Sequence, residues 1–514
     1  MRLLIIAAFC LLPSLSWASA NFEFQLERGP QPVGMRLLQQ YDYARVYRPR
    51  YDMLSGQPVQ GERARPVQTL VWYPAQAGGK PLHYIDYLRT ELTEEDYTQT
   101  PAQLEQKFNN WIAQRGIAKD KELLRQITEQ PMWAVRDAKP AAGRYPVVVY
   151  APSFNASAHE NVDLCEYLAS QGYIVLSSPD MGARTRSMTD DLEGIEAQAS
   201  DIRFLISTAQ TLPQADTSKV AVVGFSWGGI SNVFAAARDD RIRALVSLDG
   251  SIRYYPELVD GSAKAAKYVT PERVPVPFMF IAARPKSIEK LASSKNSTNY
   301  SFINNMKYAD TYLLSMQPMV HGDFSAAGLR LTIPDAAADY SRAEVLTAYN
   351  WSLRYVGQFL NAYLKEDQQA LAFLQKPATQ NGSPRHLMTI EQRKASAKPP
   401  SFENLALELR QRGYTHAQEV YERMKQADST FSIGEPQMNL WGYELQRVGY
   451  VKDAIEALKL AVSVYPNSGN LYDSLAEMYE IDGQKPLAIV NYRRSLELDP
   501  ANANAVQHLK GLEQ

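Results

Sequence analysis

Seven short runs between residues 68 and 316 restrict what this chain can fold into. They are "QTLVWYP" (68–74), "YPVVVYAP" (145–152), "YIVLSSPD" (173–180), "KVAVVGF" (219–225), "IRALVSLDG" (242–250), "VPFMFIAA" (276–283) and "DTYLLSM" (310–316). All have strand length, and several are apolar throughout rather than alternating with polar residues. A strand without alternation offers water no face, so both faces must be covered, as in a sheet of parallel strands flanked by helices. Helix-like segments such as "ENVDLCEYLASQG" and "GIEAQASDIRFLISTAQTL" lie between the runs. The alternation predicts an α/β fold with a mostly parallel sheet.

One of these runs leads into chemistry. "KVAVVGF" passes directly into "SWGG", and "ISNVFAAARDDRI" then reads as a helix. Strand, sharp turn and helix form the setting in which Gly-x-Ser-x-Gly lifts a serine hydroxyl above a sheet. Gly224 and Gly228 bound the serine because larger side chains would collide in so tight a turn. Ser226 is therefore the candidate nucleophile. A hydroxyl attacks poorly until a base takes its proton. The chain has six histidines: His83, His159, His321, His386, His416 and His508. In this type of fold the acid and then the histidine follow the serine in chain order, which removes His83 and His159. His386 lies in a polar stretch and His416 and His508 in a helical C-terminal region. His321, in the loop "SMQPMVHGDFSAAG" after the last apolar run, remains as the candidate base.

The group that orients the base should sit at the end of a strand beyond the nucleophile. "VSLDGS" supplies Asp249, whereas "FIAARPKS" supplies no carboxylate before Glu289. Asp249 is the expected acid. Asp323, two residues beyond His321, is the alternative acid or a cap of the following turn. An oxyanion needs backbone donors. The N–H of Trp227, directly after the nucleophile, is one; Phe154 N–H in "SFNAS", with Asn155 as neighbour, is the expected second.

Taken together, these residues resemble the platelet-activating-factor acetylhydrolase and dienelactone-hydrolase-like branch of the α/β-hydrolases. The resemblance covers about residues 30 to 370. It rests on "PVGMRLLQQYDYARVYRPR" with "RPVQTLVWYPA", on "YPVVVYAPSFNAS", on "GFSWGG" followed by Asp249 after 23 residues, and on "VHGDF". It implies an α/β-hydrolase fold, no metal or organic cofactor, and a small-molecule or lipid-like ester as substrate. The chain departs from the pattern twice. Pro152-Ser153 stands where the acetylhydrolases carry His-Gly, and Ser226 stands where a dienelactone hydrolase carries cysteine. A serine favours simple ester hydrolysis through an acyl-enzyme.

The outer parts of the chain differ. "MRLLIIAAFCLLPSLSWASA" has one early charge, an apolar run broken by Pro13, and small residues at its end. This is the form of an export signal cleaved after Ala20, and it implies a periplasmic or extracellular protein. No later segment is long and apolar enough to span a membrane. Cleavage removes Cys10 and leaves Cys165 alone, so Cys165 is expected to be a small buried hydrophobe rather than half of a disulfide. With 54 basic and 56 acidic side chains the formal charge is -2, which gives no footprint for nucleic acid.

Residues 83–144 form a long insertion that looks helical and either lids the site or packs elsewhere. Residues 376–400 are polar and rich in Pro and Ser and read as a linker between a hydrolase domain (21–375) and a helical region (401–514). In that region Gly449 and Gly483, Ala454 and Ala488, and Pro466 and Pro500 each recur 34 residues apart, and Trp441 aligns with Leu475. The period resembles tetratricopeptide repeats and implies a protein partner for them. A looser copy surrounds Gly413. Three functions compete: an exported serine esterase with a protein-binding module, a peptidase or amidase on the same triad, and an envelope scaffold in which the repeats do the work.

Overall fold

The computed structural model describes residues 26–52, 54–114, 124–125, 128–255, 258–259, 266–285, 301–331 and 338–513. The expected export signal lies outside them. The chain divides into two compact units, residues 1–396 and 397–514.

In the first unit eleven strands form one sheet: β1 Val33–Val46, β2 Ala64–Pro74, β3 Pro81–His83, β4 Pro131–Arg136, β5 Tyr145–Ala151, β6 Ile174–Ser177, β7 Ala215–Phe225, β8 Ile242–Leu248, β9 Phe278–Ala282, β10 Thr311–Met316 and β11 Met388–Arg393. Their order is β11-β10-β9-β8-β7-β5-β6-β2-β1-β4-β3. From β10 to β6 all neighbours are parallel. The missing alternation has its physical counterpart here. Along β5, Val148 and Tyr150 enter one core while Val147 and Val149 enter the other; along β7, Ala221 and Val223 oppose Val220 and Val222. Each face meets helices, so the central positions, Val147–Ala151 of β5 and Val220–Phe225 of β7, are buried and without polar side chains apart from the Tyr150 hydroxyl. The helix Val162–Ser170, buried at every residue, packs into the first core, and Leu192–Ala209 packs into the second. The latter is capped by Asp191, whose side chain accepts from Gly194 N–H at 3.1 Å. Cys165 is fully buried, and burial pushes its thiol well above the usual range.

Two expectations need correction. The insertion 83–144 does contain helices, Tyr84–Leu88 and Pro101–Gln114, but it also contributes β4, parallel to β1. Buried Glu166 fastens it: the carboxylate accepts from Tyr87 hydroxyl at 2.7 Å and from the Trp133 and Ala134 N–H groups at 2.7 and 3.2 Å. Part of the insertion is thus an extension of the sheet. The stretch 376–400 is likewise more than a linker. Its residues Met388–Arg393 form β11, antiparallel to β10. Beyond that strand, Asp310 accepts from Lys394 Nζ at 2.8 Å and Ala395 N–H at 2.9 Å. An edge strand with one face in water can be polar, and that hides it from an apolar pattern.

The second unit is helical, with Phe402–Arg412, Ala417–Ala427, Glu435–Arg447, Val451–Val464, Gly469–Ile481, Lys485–Leu498 and Ala503–Glu513 around one core. The helix pair beginning at Glu435 and Val451 is reproduced 34 residues later at Gly469 and Lys485, ends included. Gly449 and Gly483 adopt φ of 90° and 76° between the paired helices. That left-handed region costs other residues about 1–2 kcal/mol. Among the described residues of both units, no helix is long and apolar enough to cross a membrane.

Candidate active site

Parallel strands point their carboxyl ends to one edge of the sheet, and loops from successive strands meet there. β7 ends at Phe225, and the next residue, Ser226, has φ of +52°, a strained conformation costing about 1–3 kcal/mol. The surroundings enforce it. A Cβ on Gly224 would lie 2.1 Å from the Gly228 carbonyl oxygen, and one on Gly228 would lie 2.0 Å from that of Ala151. Glycine at both positions lets the turn close against itself and against the end of β5. The helix Gly228–Ala236 starts immediately afterwards.

His321 opens a short 3-10 turn, His321–Phe324, beyond β10. Its Nε2 lies 2.8 Å from Ser226 Oγ and its Nδ1 lies 2.6 Å from Asp249 Oδ2. The ring packs beside Phe225 and at right angles to Tyr254, and the side chain stays 44% exposed. A solvent-reaching edge lets protons and water come and go.

Asp249 follows β8, with φ of +39° and no exposed surface. Besides His321 it receives Ala283 N–H at 2.9 Å, Arg253 Nη1 at 3.2 Å and Tyr254 hydroxyl at 3.2 Å. Burial by itself would raise its pKa. The His321 hydrogen bond and the Arg253 charge outweigh burial, and the carboxyl stays below its ordinary value. Asp249 is therefore ionised and only accepts, so the His321 Nδ1 carries the proton and Nε2 is left as the acceptor for the serine hydroxyl. Asp323 does not face His321 Nδ1. It caps the turn, accepting from Val320 N–H at 2.7 Å, which was its other expected role.

The loop after β5 comes next to the Ser226 turn. Its Ser153 N–H donates to Glu160 at 2.9 Å and its Asn155 N–H donates to Asp180 at 2.9 Å. Between them, Phe154 N–H has no acceptor among the described residues, nor does Trp227 N–H. The Phe154 ring meets the Trp227 ring edge-on, with centroids 5.5 Å apart.

The structure thus brings Ser226, His321, Asp249, Trp227 and Phe154 to one end of the sheet. It keeps His159 apart. That residue is buried, with Nε2 3.7 Å from Glu91. Sequence reasoning missed Arg253 and Tyr254, which surround Asp249, and Glu160 and Asn161 beneath the loop. The only signal for the latter pair was polar "HEN" at the entrance to the helix Val162–Ser170, which is buried at every residue. Among the described residues, no three His, Cys, Asp or Glu side chains are grouped to hold a metal ion.

Sheet order, strand–serine–helix turn and the placement of the site are those of the α/β-hydrolase fold. Within it, residues 133–284 match the model of the dienelactone hydrolase family. A Yersinia pestis protein provisionally named carboxymethylenebutenolidase is 30% identical over 122 residues, which take in 21% of this chain and 45% of that protein. The chain thus spans less than half the length of that relative. A Streptomyces cinnamoneus ferulic acid esterase structure aligns over 71% of this chain and 98% of its own, at 19% identity and a TM-score of 0.46.

Proposed function

We propose that the protein is a serine hydrolase that cleaves carboxylic esters. The observation that carries this reading is the unbroken hydrogen-bond chain from buried Asp249 through His321 to the strained Ser226. His321 Nε2 takes the hydroxyl proton as Oγ attacks the ester carbonyl. Asp249 stabilises the imidazolium without itself taking the proton. Negative charge on the former carbonyl oxygen is met by the Trp227 and Phe154 N–H groups. The imidazolium protonates the departing alcohol, leaving an acyl group on Ser226. His321 then takes a proton from water, hydroxide attacks the acyl carbon, and the acid leaves as Oγ is reprotonated.

Export follows in this proposal from the N-terminal twenty residues, and a periplasmic or extracellular site of action with it. The 34-residue spacing of the helical unit supports a tetratricopeptide-like module that binds a protein partner. The test of the enzymatic reading is a substrate screen on the purified protein. Short-chain nitrophenyl esters should turn over, and amino-acid nitroanilides should not. Turnover of the anilides alone would replace the esterase by a peptidase.

A further inference from the structure

Glu160 and Asn161 sit side by side where the loop after β5 enters the helix Val162–Ser170, and both are buried. An asparagine preceding a helix ordinarily caps it by accepting from the N–H groups of the first turn. Asn161 does not. Its Nδ2 instead donates to Phe324 O at 2.9 Å and to Tyr150 hydroxyl at 2.6 Å. Its Oδ1 accepts from Ala326 N–H at 2.8 Å and from Tyr349 hydroxyl at 3.0 Å. Phe324 ends the turn that begins at His321. Asn161 forgoes its own helix to hold the segment carrying the candidate base.

Glu160 works in the other direction. Its carboxylate accepts from Ser153 N–H and Tyr150 hydroxyl, each at 2.9 Å, and from the Ser153 hydroxyl. These bonds fix the peptide just before Phe154. Beyond Phe154, Asn155 has φ of +60°, donates its N–H to buried Asp180, and accepts Met188 N–H on its side chain at 2.7 Å. With the amides on both sides committed, the intervening N–H has one direction left. The backbone ties the two tasks together, because the Glu160 carbonyl itself accepts Ala327 N–H at 2.9 Å. Tyr150 hydroxyl links the two side chains. Burying a carboxylate costs several kcal/mol unless donors surround it, so a merely packed helix entrance would be better served by apolar residues.

We propose that Glu160 and Asn161 form a positioning brace that holds the Phe154 N–H and the His321 turn in register on either side of Ser226. The inference rests on the catalytic reading above. Neither residue touches substrate. Both act through the groups they hold, so their loss should slow each turnover while leaving ground-state binding nearly intact.

The test uses the full-length protein and a short-chain nitrophenyl ester. Active sites are titrated with a fluorophosphonate, so that kcat refers only to correctly folded, reactive molecules. Glu160→Ala should lower kcat per titrated site about 100-fold, the scale of losing one oxyanion donor, with KM changed less than about twofold. Glu160→Gln, which can still accept Ser153 N–H, should recover most of the loss. Asn161→Asp keeps the acceptor but gives up both donations. It should lower kcat with KM little changed, because the His321 turn is released. Wild-type kcat per titrated site in Glu160→Ala and Asn161→Asp would overturn the brace, whatever happens to stability. If Glu160→Ala does not fold, Ser153→Ala removes only the hydroxyl bond to the carboxylate. It should cost several-fold in kcat, and an unchanged kcat there would equally overturn the proposal. Ser226→Ala separates the two readings: turnover surviving in it would defeat the catalytic assignment, whereas turnover lost in it but unchanged in the brace variants would defeat the brace alone.

Discussion

The two units of this chain carry strain very differently. Among the described residues, non-glycine residues with positive φ are Asp137, Asn155, Ser226, Asp249, Glu366 and His386, all in the first unit, and three of them line the candidate site. Among the described residues of the second unit, only Gly413, Gly449 and Gly483 adopt positive φ. Buried charge divides in the same way. Arg65 with Asp201, Arg330 with Asp163, and Glu94, Glu160, Glu166, Asp180 and Asp249 are buried in the first unit, against Asp473 in the second. Local and global preferences agree throughout the helical unit. Around Ser226 they conflict, and conflicts of that kind persist where the rest of the structure over-determines them and function uses them.

The contrast can be broken by substitution. The largest effect should follow Ser226→Ala: ester turnover should fall by at least about 10^4-fold, with Tm unchanged within a few degrees, as read by steady-state kinetics and thermal unfolding. Asp249→Asn should cost about 10^4 in kcat, because an amide can donate to Nδ1 and stabilise the wrong tautomer. Buried Arg253 loses the charge of Asp249 beside it, so Tm should fall as well.

Glycines sharpen the comparison. Gly228→Ala drives a methyl into the Ala151 carbonyl and should destabilise by about 3 kcal/mol or more, the upper end of overpacking costs. Gly483→Ala has positive φ but nothing within 4 Å of its Cβ, so only the backbone term of about 1–2 kcal/mol applies. Chemical denaturation of both variants checks the ranking; equal losses would contradict it.

The smallest effect concerns pH. Burial pushes the Glu94 carboxyl up to about 7, against the pull of Arg186, from an unfolded value near about 4.3. The folded state therefore holds a proton that the unfolded state releases. The stability this contributes is fully present below about pH 4 and is lost as pH rises through about 7. Glu94→Gln should flatten this part of the Tm profile between those values.

Much of the first unit was legible because burial on both faces of a parallel strand favours continuous apolar runs: β5 and β9 are apolar throughout, and β7, β8 and β10 hold apolar stretches beside a few polar residues. β1 and β11 were not legible. β1 is partly exposed along "LQQYDYARV" and β11 is exposed at four of its six positions, so each mixes polar and apolar residues. The Ser226 turn could be read because Gly-x-Ser-x-Gly between a strand and a helix is a local pattern: the Gly224 contact is with Gly228, four residues on, although the Gly228 contact is with distant Ala151. Asp249 and His321 followed from strand ends and elimination. Asn161 could not be read, because its role is defined by contacts distant in sequence, such as the 163-residue separation from Phe324. Arg253, Tyr254 and Glu160 contact residues four, five and seven positions away, but in irregular turns whose backbone path no apolar or glycine pattern announces.

The most direct test of the central claim is mass spectrometry of the protein after reaction with a fluorophosphonate. The account predicts one adduct per chain, on the peptide containing Ser226, lost in Ser226→Ala and formed far more slowly in His321→Ala. An adduct on another serine, or equal labelling in the His321→Ala variant, would contradict it.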